Sequence, residues 1–276
     1  MRKPHYREMA TVTRAVRAPH AADWALSRGI NALTTGELAD LLDIPPAQVR
    51  QRLLAPTRRG EWISPARGLW VPVAPEFRTW GAPPGVEFID RLARHLEVDY
   101  YIGWLSGAEL HGAAHQAPQV FQVGVSRSIR DRRVGRTEFQ FHHRARLTSL
   151  PHDEHMTRSG AARVSTLAGT ALDVATDATV AGGIHNAATV LVELAEQPGF
   201  DIAAVVALAD QFPVSTLRRL GWILDRVAAR EDLDQLRAAA LSGPQTPARL
   251  DPAADLVGQI DRRWRVRVNR DVVVDL

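Results

Sequence analysis

No cysteine occurs among the 276 residues, which excludes disulfides, thiolate zinc sites and thiol nucleophiles and suits a reducing compartment. Lysine is almost absent too: Lys3 stands alone against 33 arginines. Such a bias follows from G+C-rich coding and says little by itself about phosphate recognition. No stretch approaches the roughly 20 apolar residues of a membrane span. The first 25 residues lack the apolar core of a secretory signal, so the expected location is the cytoplasm. There is no repeat with a period of about 20 to 50 residues, which argues against a solenoid. What is present is an ordinary globular composition, 45% hydrophobic and 24% charged, long enough for two domains.

Residues 30–73 carry the strongest pattern, that of a winged helix-turn-helix. Ile30-Asn31-Ala32 can pair as a short strand. Thr34-Thr35-Gly36-Glu37 fits a capping box, in which hydroxyl and carboxylate satisfy N–H groups that have no helical partner. Leu38, Leu41 and Leu42 give the helix that follows an apolar stripe, and Asp43-Ile44-Pro45 breaks it. A second helix is expected over residues 46–54, opened by Pro46 and closed by Pro56. At about 100° per residue, Pro46, Val49 and Leu53 share its inner face. Gln48, Gln51 and Arg52 then point outward, with Arg50 at the flank. Glutamine can pair bidentately with adenine and arginine with guanine, the chemistry of a recognition helix in a major groove. Trp62-Ile63, a turn over residues 64–68 and Leu69-Trp70-Val71 complete a hairpin wing. Arg58, Arg59 and Arg67 at its start and tip suit phosphate or minor-groove contact.

Charge follows the motif. Residues 1–80 hold 12 basic against 7 acidic residues, and the rest hold 22 against 24. The N-terminus, with Arg2, Lys3, Arg7, Arg14 and Arg17 against Glu8, reads as a basic arm, or as a helix packed through Val12 and Val16. A helical hairpin used for structure, or a winged helix used for protein contacts, remains the alternative to DNA binding.

Pro72, Pro75, Gly81, Pro83, Pro84 and Gly85 read as a linker, which places a domain boundary near residue 82. Beyond it, residues 84–97 look helical through Phe88, Ile89, Leu92 and Leu96, and residues 100–111 continue as helix. Residues 119–125 and 137–142 alternate as strands, with an arginine-rich loop over 127–136 between them. That loop is a solvated segment, a second nucleic-acid contact or a docking surface for an acidic or RNA-bearing partner. Residues 166–241 are mostly helical. Residues 262–269 alternate strictly, and Val272-Val273-Val274 can pair with them. The expected fold is α+β, with a winged-helix domain over 1–82 and a mixed α/β domain over 83–276.

Candidate chemistry is mostly rejected on spacing. His142, His143, His152, Asp153, Glu154 and His155 lack a helix that would aim two rings at one ion, and H-E-x-x-H is absent, so a solvated loop is expected. Gly182-Gly183 precedes a helix but belongs to no phosphate-loop motif. Ser106 with His111 has no orienting acid. Asp173 and Asp177, four apart, are commonplace on a helix, and Trp104, Trp222 and Trp264 read as core aromatics. Neither a catalytic set nor a metal or cofactor site is expected.

The run Tyr100-Tyr101-Ile102-Gly103-Trp104-Leu105-Ser106-Gly107-Ala108-Glu109-Leu110-His111-Gly112, the segment 166–173 and the late Arg263-Trp264-Arg265, which continues to Asn269, resemble the AbiE-type (AbiEi) antitoxins of bacterial type IV toxin–antitoxin systems. Ahead of Leu172-Asp173 the chain departs from that pattern, with Ala168 and Gly169 in place of an acidic residue and an arginine. The resemblance implies a non-enzymatic antitoxin and transcriptional repressor. Its N-terminal domain would bind inverted repeats in its own promoter, a geometry that admits dimerisation on DNA. Its C-terminal domain would counter a nucleotidyltransferase-like toxin, directly or functionally. A toxin-binding module without DNA binding, or a transferase that modifies the toxin, are the rival functions.

Overall fold

In the computed structural model, which describes residues 15–113 and 120–275, helices and sheets combine in a mixed α+β fold. Arg2, Lys3, Arg7, Glu8, Val12 and Arg14 of the expected arm lie outside the described residues. The chain divides into two compact units: Met1–Glu97 with Arg132–Thr137 and Thr157–Gly160, and the remainder. The division falls 15 residues beyond the Pro/Gly cluster around residue 82, because the helix that follows the cluster buries Phe88, Ile89 and Leu92 within the first unit.

The first unit runs α1 (Ala21–Leu26), β1 (Leu33–Thr34), α2 (Thr35–Leu42), α3 (Pro46–Arg52), α4 (Leu54–Arg58), β2 (Trp62–Ala66), β3 (Leu69–Pro72) and α5 (Gly85–His95). The capping box forms as expected: Glu37 N–H donates to Thr34 Oγ1 at 3.2 Å, and Thr34 N–H donates to Glu37 Oε2 at 2.6 Å. Leu38, Leu42, Val49, Leu53 and Trp62 form one core with Ala21, Ala22 and Ala25 of α1. Several expected details shift. The short strand is Leu33–Thr34 rather than residues 30–32, pairing Leu33 with Trp70 and Thr34 with Leu69. Pro46 is exposed, and α3 ends at Arg52. Pro56 does not close a helix but sits buried in the first turn of α4, where its missing N–H would have had no acceptor. Strand β2 extends to Ala66 through a bulge, so the turn shrinks to Arg67-Gly68, with Gly68 at φ 85° where a side chain would be strained.

The second unit contains β4 (Tyr100–Ile102), α6 (Trp104–Leu110), β5 (Val120–Val125), β7 (Thr137–His143), β8 (His152–Thr157) and β9 (Gly160–Ser165), whose strands run in the order β7-β5-β4-β9-β8, while β6 (Arg132–Val134) lies among the residues of the first unit. Residues 100–102 are thus a strand, not the start of a helix. Both tyrosines and Ile102 are buried, and a strand covered on both faces shows no alternation. β5 and β7 pair in parallel, Val120 opposite Glu138, which requires a crossover between them. The arginine-rich segment 127–136 supplies that crossover and includes β6, so it is only partly a loop. Residues 152–155, expected as a loop, form an edge strand. The period of two puts His152 and His155 on opposite faces, away from any shared ion.

Helices α7 (Leu167–Thr176), α8 (Ile184–Glu196), α9 (Ile202–Ala207), α10 (Val214–Arg226) and α11 (Asp234–Leu241) form a layer with one apolar core. α7 packs on α6, α8, α9 and α10, and is apolar around nearly its whole circumference for that reason. A small sheet closes the chain: β10 (Ala248–Arg249) lies parallel to β12 (Val266–Val268), which is antiparallel to β11 (Gln259–Asp261). Residues 262–265 form a turn rather than continuing the strand, and residues 272–274 stay outside the sheet. Trp264 fills the core and donates to Asp225 Oδ2 at 2.7 Å. Its ring lies so close on Gly221 that a Cβ there would stand 2.0 Å from Cζ3, so only glycine fits. Asn269 fixes the loop before β11, receiving Asp251 N–H at Oδ1 (2.9 Å) and donating to the carbonyls of Asp251 and Asp255.

Candidate functional site

Two groups of residues stand apart from the ordinary packing, one in each unit. In the first unit, Val49 and Leu53 are fully buried against α2, which turns the opposite face of α3 outward. Gln48, Arg50, Gln51 and Arg52 are all exposed there, as the helical spacing predicts, and Arg58 is exposed on α4. Arg67 is exposed at the hairpin turn. That turn is anchored from beneath: Thr35 N–H donates to the Gly68 carbonyl at 2.8 Å, and His95 Nε2 donates to the Arg67 carbonyl at 2.9 Å. Trp70 Nε1 adds a bond to Thr35 Oγ1 at 3.1 Å. Among the described residues no carboxylate pairs with Arg50, Arg52, Arg58 or Arg67. Arg59 differs. Glu61 holds its guanidinium through two bonds of 2.7 and 3.0 Å, so its charge is already balanced.

Glu37 ties this surface to the interior of the unit. It caps α2 and also receives Arg91 at 3.0 Å. Burial works to raise its pKa, but the Thr34 N–H and the Arg91 charge outweigh it and hold the carboxyl below the usual value.

In the second unit, Asp173 of α7 is only 1% exposed and meets Arg144, whose Nη2 donates to Oδ1. Tyr101 Oη donates to the same oxygen at 3.2 Å. The Arg144 guanidinium lies between the rings of Trp104 and Phe212, at 5.1 and 5.0 Å, a geometry in which the ring faces attract the cation. His142 packs on Trp104 with centroids 4.3 Å apart. Tyr101 is seated so tightly that a Cβ at Gly124 would stand 2.7 Å from its ring. Trp104 adopts φ 48°, a left-handed conformation costly for a bulky residue and found where surrounding packing overrides it. Asp173 Oδ2, Arg144 Nε and His142 Nε2 are buried without a hydrogen-bond partner among the described residues. Burial pushes the Asp173 carboxyl up to about 6, against the pull of Arg144 and Tyr101. It also lowers the His142 pKa and raises that of the Tyr101 phenol, with the Asp173 charge adding to the latter. Burial opposes the Arg144 charge, and Asp173 and Tyr101 together more than offset it.

Asp173 and Tyr101 stand out in the sequence; their partners do not. Spacing treats Asp173 and Asp177 alike, four apart on one helix, but Asp177 lies just past α7 and accepts from Thr179. Ser106 and His111 do not meet: the hydroxyl bridges Val120 and Gln122 of β5, and the imidazole bonds the Ser165 carbonyl at 2.7 Å. Gly182 and Gly183, at φ 77° and 100°, form a turn before α8. Ala168 and Gly169 are buried in α7, with the Gly169 N–H capped by Thr166 Oγ1. No group of three or more metal-ligating side chains gathers among the described residues, and no helix among them is long and apolar enough to cross a membrane.

The chain is similar in fold to the crystal structure of RV2827C protein from Mycobacterium tuberculosis, with a TM-score of 0.66 over 92% of each chain; at 15% identity the likeness is one of fold alone. No curated protein matches it. Residues 101–226 match the AbiEi antitoxin C-terminal domain, a span that contains Tyr101, Trp104, Arg144, Asp173 and Phe212. That span of the chain is similar to the AbiEi-type antitoxins.

Proposed function

We propose that the chain is an antitoxin and autoregulatory repressor of a type IV system, working in the cytoplasm as a binding protein rather than an enzyme. The first unit is read as a winged helix-turn-helix: α2 and α3 form the helical pair, α3 is the recognition helix and β2–β3 is the wing. It binds inverted repeats in its own promoter, while the antitoxin domain counters a co-encoded nucleotidyltransferase-like toxin. The observation that carries the DNA half is the outward face of α3. Its base-reading side chains Gln48, Gln51 and Arg52 are solvent-exposed, beside Arg50, Arg58 and Arg67, which have no carboxylate partner among the described residues. Phosphates are the natural complement of such guanidinium groups. Arg59 is the weakest member of the set, since a phosphate there must compete with Glu61.

The test is fluorescence anisotropy of the full chain on DNA upstream of its own operon against scrambled DNA, across a salt series. Tight binding to the native fragment with a steep salt dependence supports a specific repressor. Equal weak binding to both fragments, or none, overturns the repressor and leaves a module that acts on the toxin alone.

A further inference from the structure

The first unit carries a half-open pocket of about 390 Å³ that no residue of α3 lines. Its walls are mainly apolar, with Leu26 and Ile30 facing Pro72, Phe77 and the fully buried Phe88. Asp23, Glu76 and Glu87 also line it, against a single cation, Arg158. Arg158 pairs with Glu76 at 3.1 Å, which balances that carboxylate. Glu87 accepts only a neutral donor, Ser159 Oγ at 3.4 Å, and no cation among the described residues pairs with Asp23 or Glu87. A mainly apolar pocket of ligand size is therefore rimmed by two carboxylates without a cation, exposed Asp23 and half-buried Glu87, in a unit whose outward helix face is basic.

That combination selects a ligand class. An anion would be repelled by both carboxylates, and a neutral apolar molecule would leave their charge unanswered. We propose that this pocket binds a small organic cation, its ammonium group facing Asp23 and Glu87 and its compact apolar body against Leu26, Ile30 and Phe77. Pro72, in the cavity wall, ends the same strand β3 that begins beside the Arg67-Gly68 turn, so occupancy bears on the hairpin. The effect on operator affinity rests on the DNA reading; the ligand site does not.

Isothermal titration calorimetry of the full chain with phenethylamine, phenethyl alcohol and hydrocinnamate separates charge from shape, because the three share one apolar body. The amine should bind about tenfold more tightly than the alcohol, and the carboxylate should give no heat. In Asp23→Asn/Glu87→Gln the amine should fall to the level of the alcohol, with alcohol affinity unchanged. Should the double variant fold poorly, Asp23→Asn alone, at an exposed position of α1, should lose about half of the preference on a logarithmic scale. Equal affinity for amine and alcohol, an unchanged amine affinity in the variants, or no heat from the amine at millimolar concentration would each overturn the site. Amine binding that leaves operator affinity unmoved overturns the coupling to the hairpin alone.

Discussion

Helices α3 and α10 each carry two arginines in close succession, and the two pairs do opposite things. Arg50 and Arg52 stand in solvent with no partner of opposite charge among the described residues. Arg218 and Arg219 are buried, and every hydrogen bond they make goes to a backbone carbonyl. Arg218 Nε donates to the Ala240 carbonyl near the end of α11, and its Nη1 to that of Thr246. Arg219 reaches the carbonyls of Ala175 and Thr176 at the end of α7 and those of Arg249 and Leu250 beside β10. The last carbonyls of a helix have no internal donor and carry the negative end of its dipole, so a guanidinium with five N–H groups suits them. In a chain whose basic residues are almost all arginine, the count of arginines therefore says nothing about nucleic acid. Burial and the nature of the acceptor decide which ones can reach a phosphate.

Replacing Arg219 with alanine strands the buried carbonyls of Ala175 and Leu250 and the partly buried ones of Thr176 and Arg249, and the unfolding free energy should fall by about 3 kcal/mol in urea titration. DNA affinity per folded molecule should not change. A loss under about 1 kcal/mol would mean that water satisfies those carbonyls equally well and that α10 does not clamp α7. Asp173→Ala should cost a similar amount, about 3 kcal/mol, because it leaves Arg144 buried without its counter-charge.

The stretch around α2 and α3 was legible because its signals are local. A capping box spans four residues, the apolar stripe recurs at three and four, and Asp43-Ile44-Pro45 marks the break. Pro56 was misread because proline ends a helix from within but is tolerated in a first turn, and spacing alone does not say which applies. The buried charges were not legible. Arg218 and Arg219 look like a solvated face, and the acceptors that reverse this lie 22 to 44 residues away. Asp173 finds Arg144 at a separation of 29 residues and Tyr101 at 72, so its environment is a product of the tertiary fold. The cavity of the first unit is assembled from segments between Asp23 and Ser159, and no single window of sequence contains it.

On the exposed side the comparison is sharpened by substitutions that spare stability. Gln51→Ala and Arg52→Ala should each shift the urea midpoint by no more than about 0.5 kcal/mol in free energy, as surface changes do. Each should nevertheless remove about 1–3 kcal/mol of discrimination at one base pair of the operator in competition anisotropy. Arg58→Ala should weaken native and scrambled DNA together and reduce the salt slope by about one unit. If Gln51→Ala and Arg52→Ala leave sequence preference intact, α3 is not the reading helix.

The smallest effects separate the two units by the sign of a pH dependence. Thr34→Ala removes one half of the capping box and should cost about 1 kcal/mol. The other half, Glu37, has a depressed pKa, so its contribution is present above its unfolded value of 4.5 and is lost as pH falls through the lower folded value. Asp173 runs the other way. Its carboxyl is raised from 3.8 to about 6, so its contribution is fully present below about pH 4 and declines as pH rises through 6. Glu37→Gln should therefore flatten the loss of stability on acidification, whereas Asp173→Asn should remove a loss on neutralisation, each read as the difference from wild type in urea midpoints between pH values of about 3.5 and 7. If both variants shift the slope in the same direction, the Asp173 carboxylate is ionised and fully compensated by Arg144 across that range, and the second unit holds an ordinary ion pair instead of a carboxyl whose ionisation burial resists.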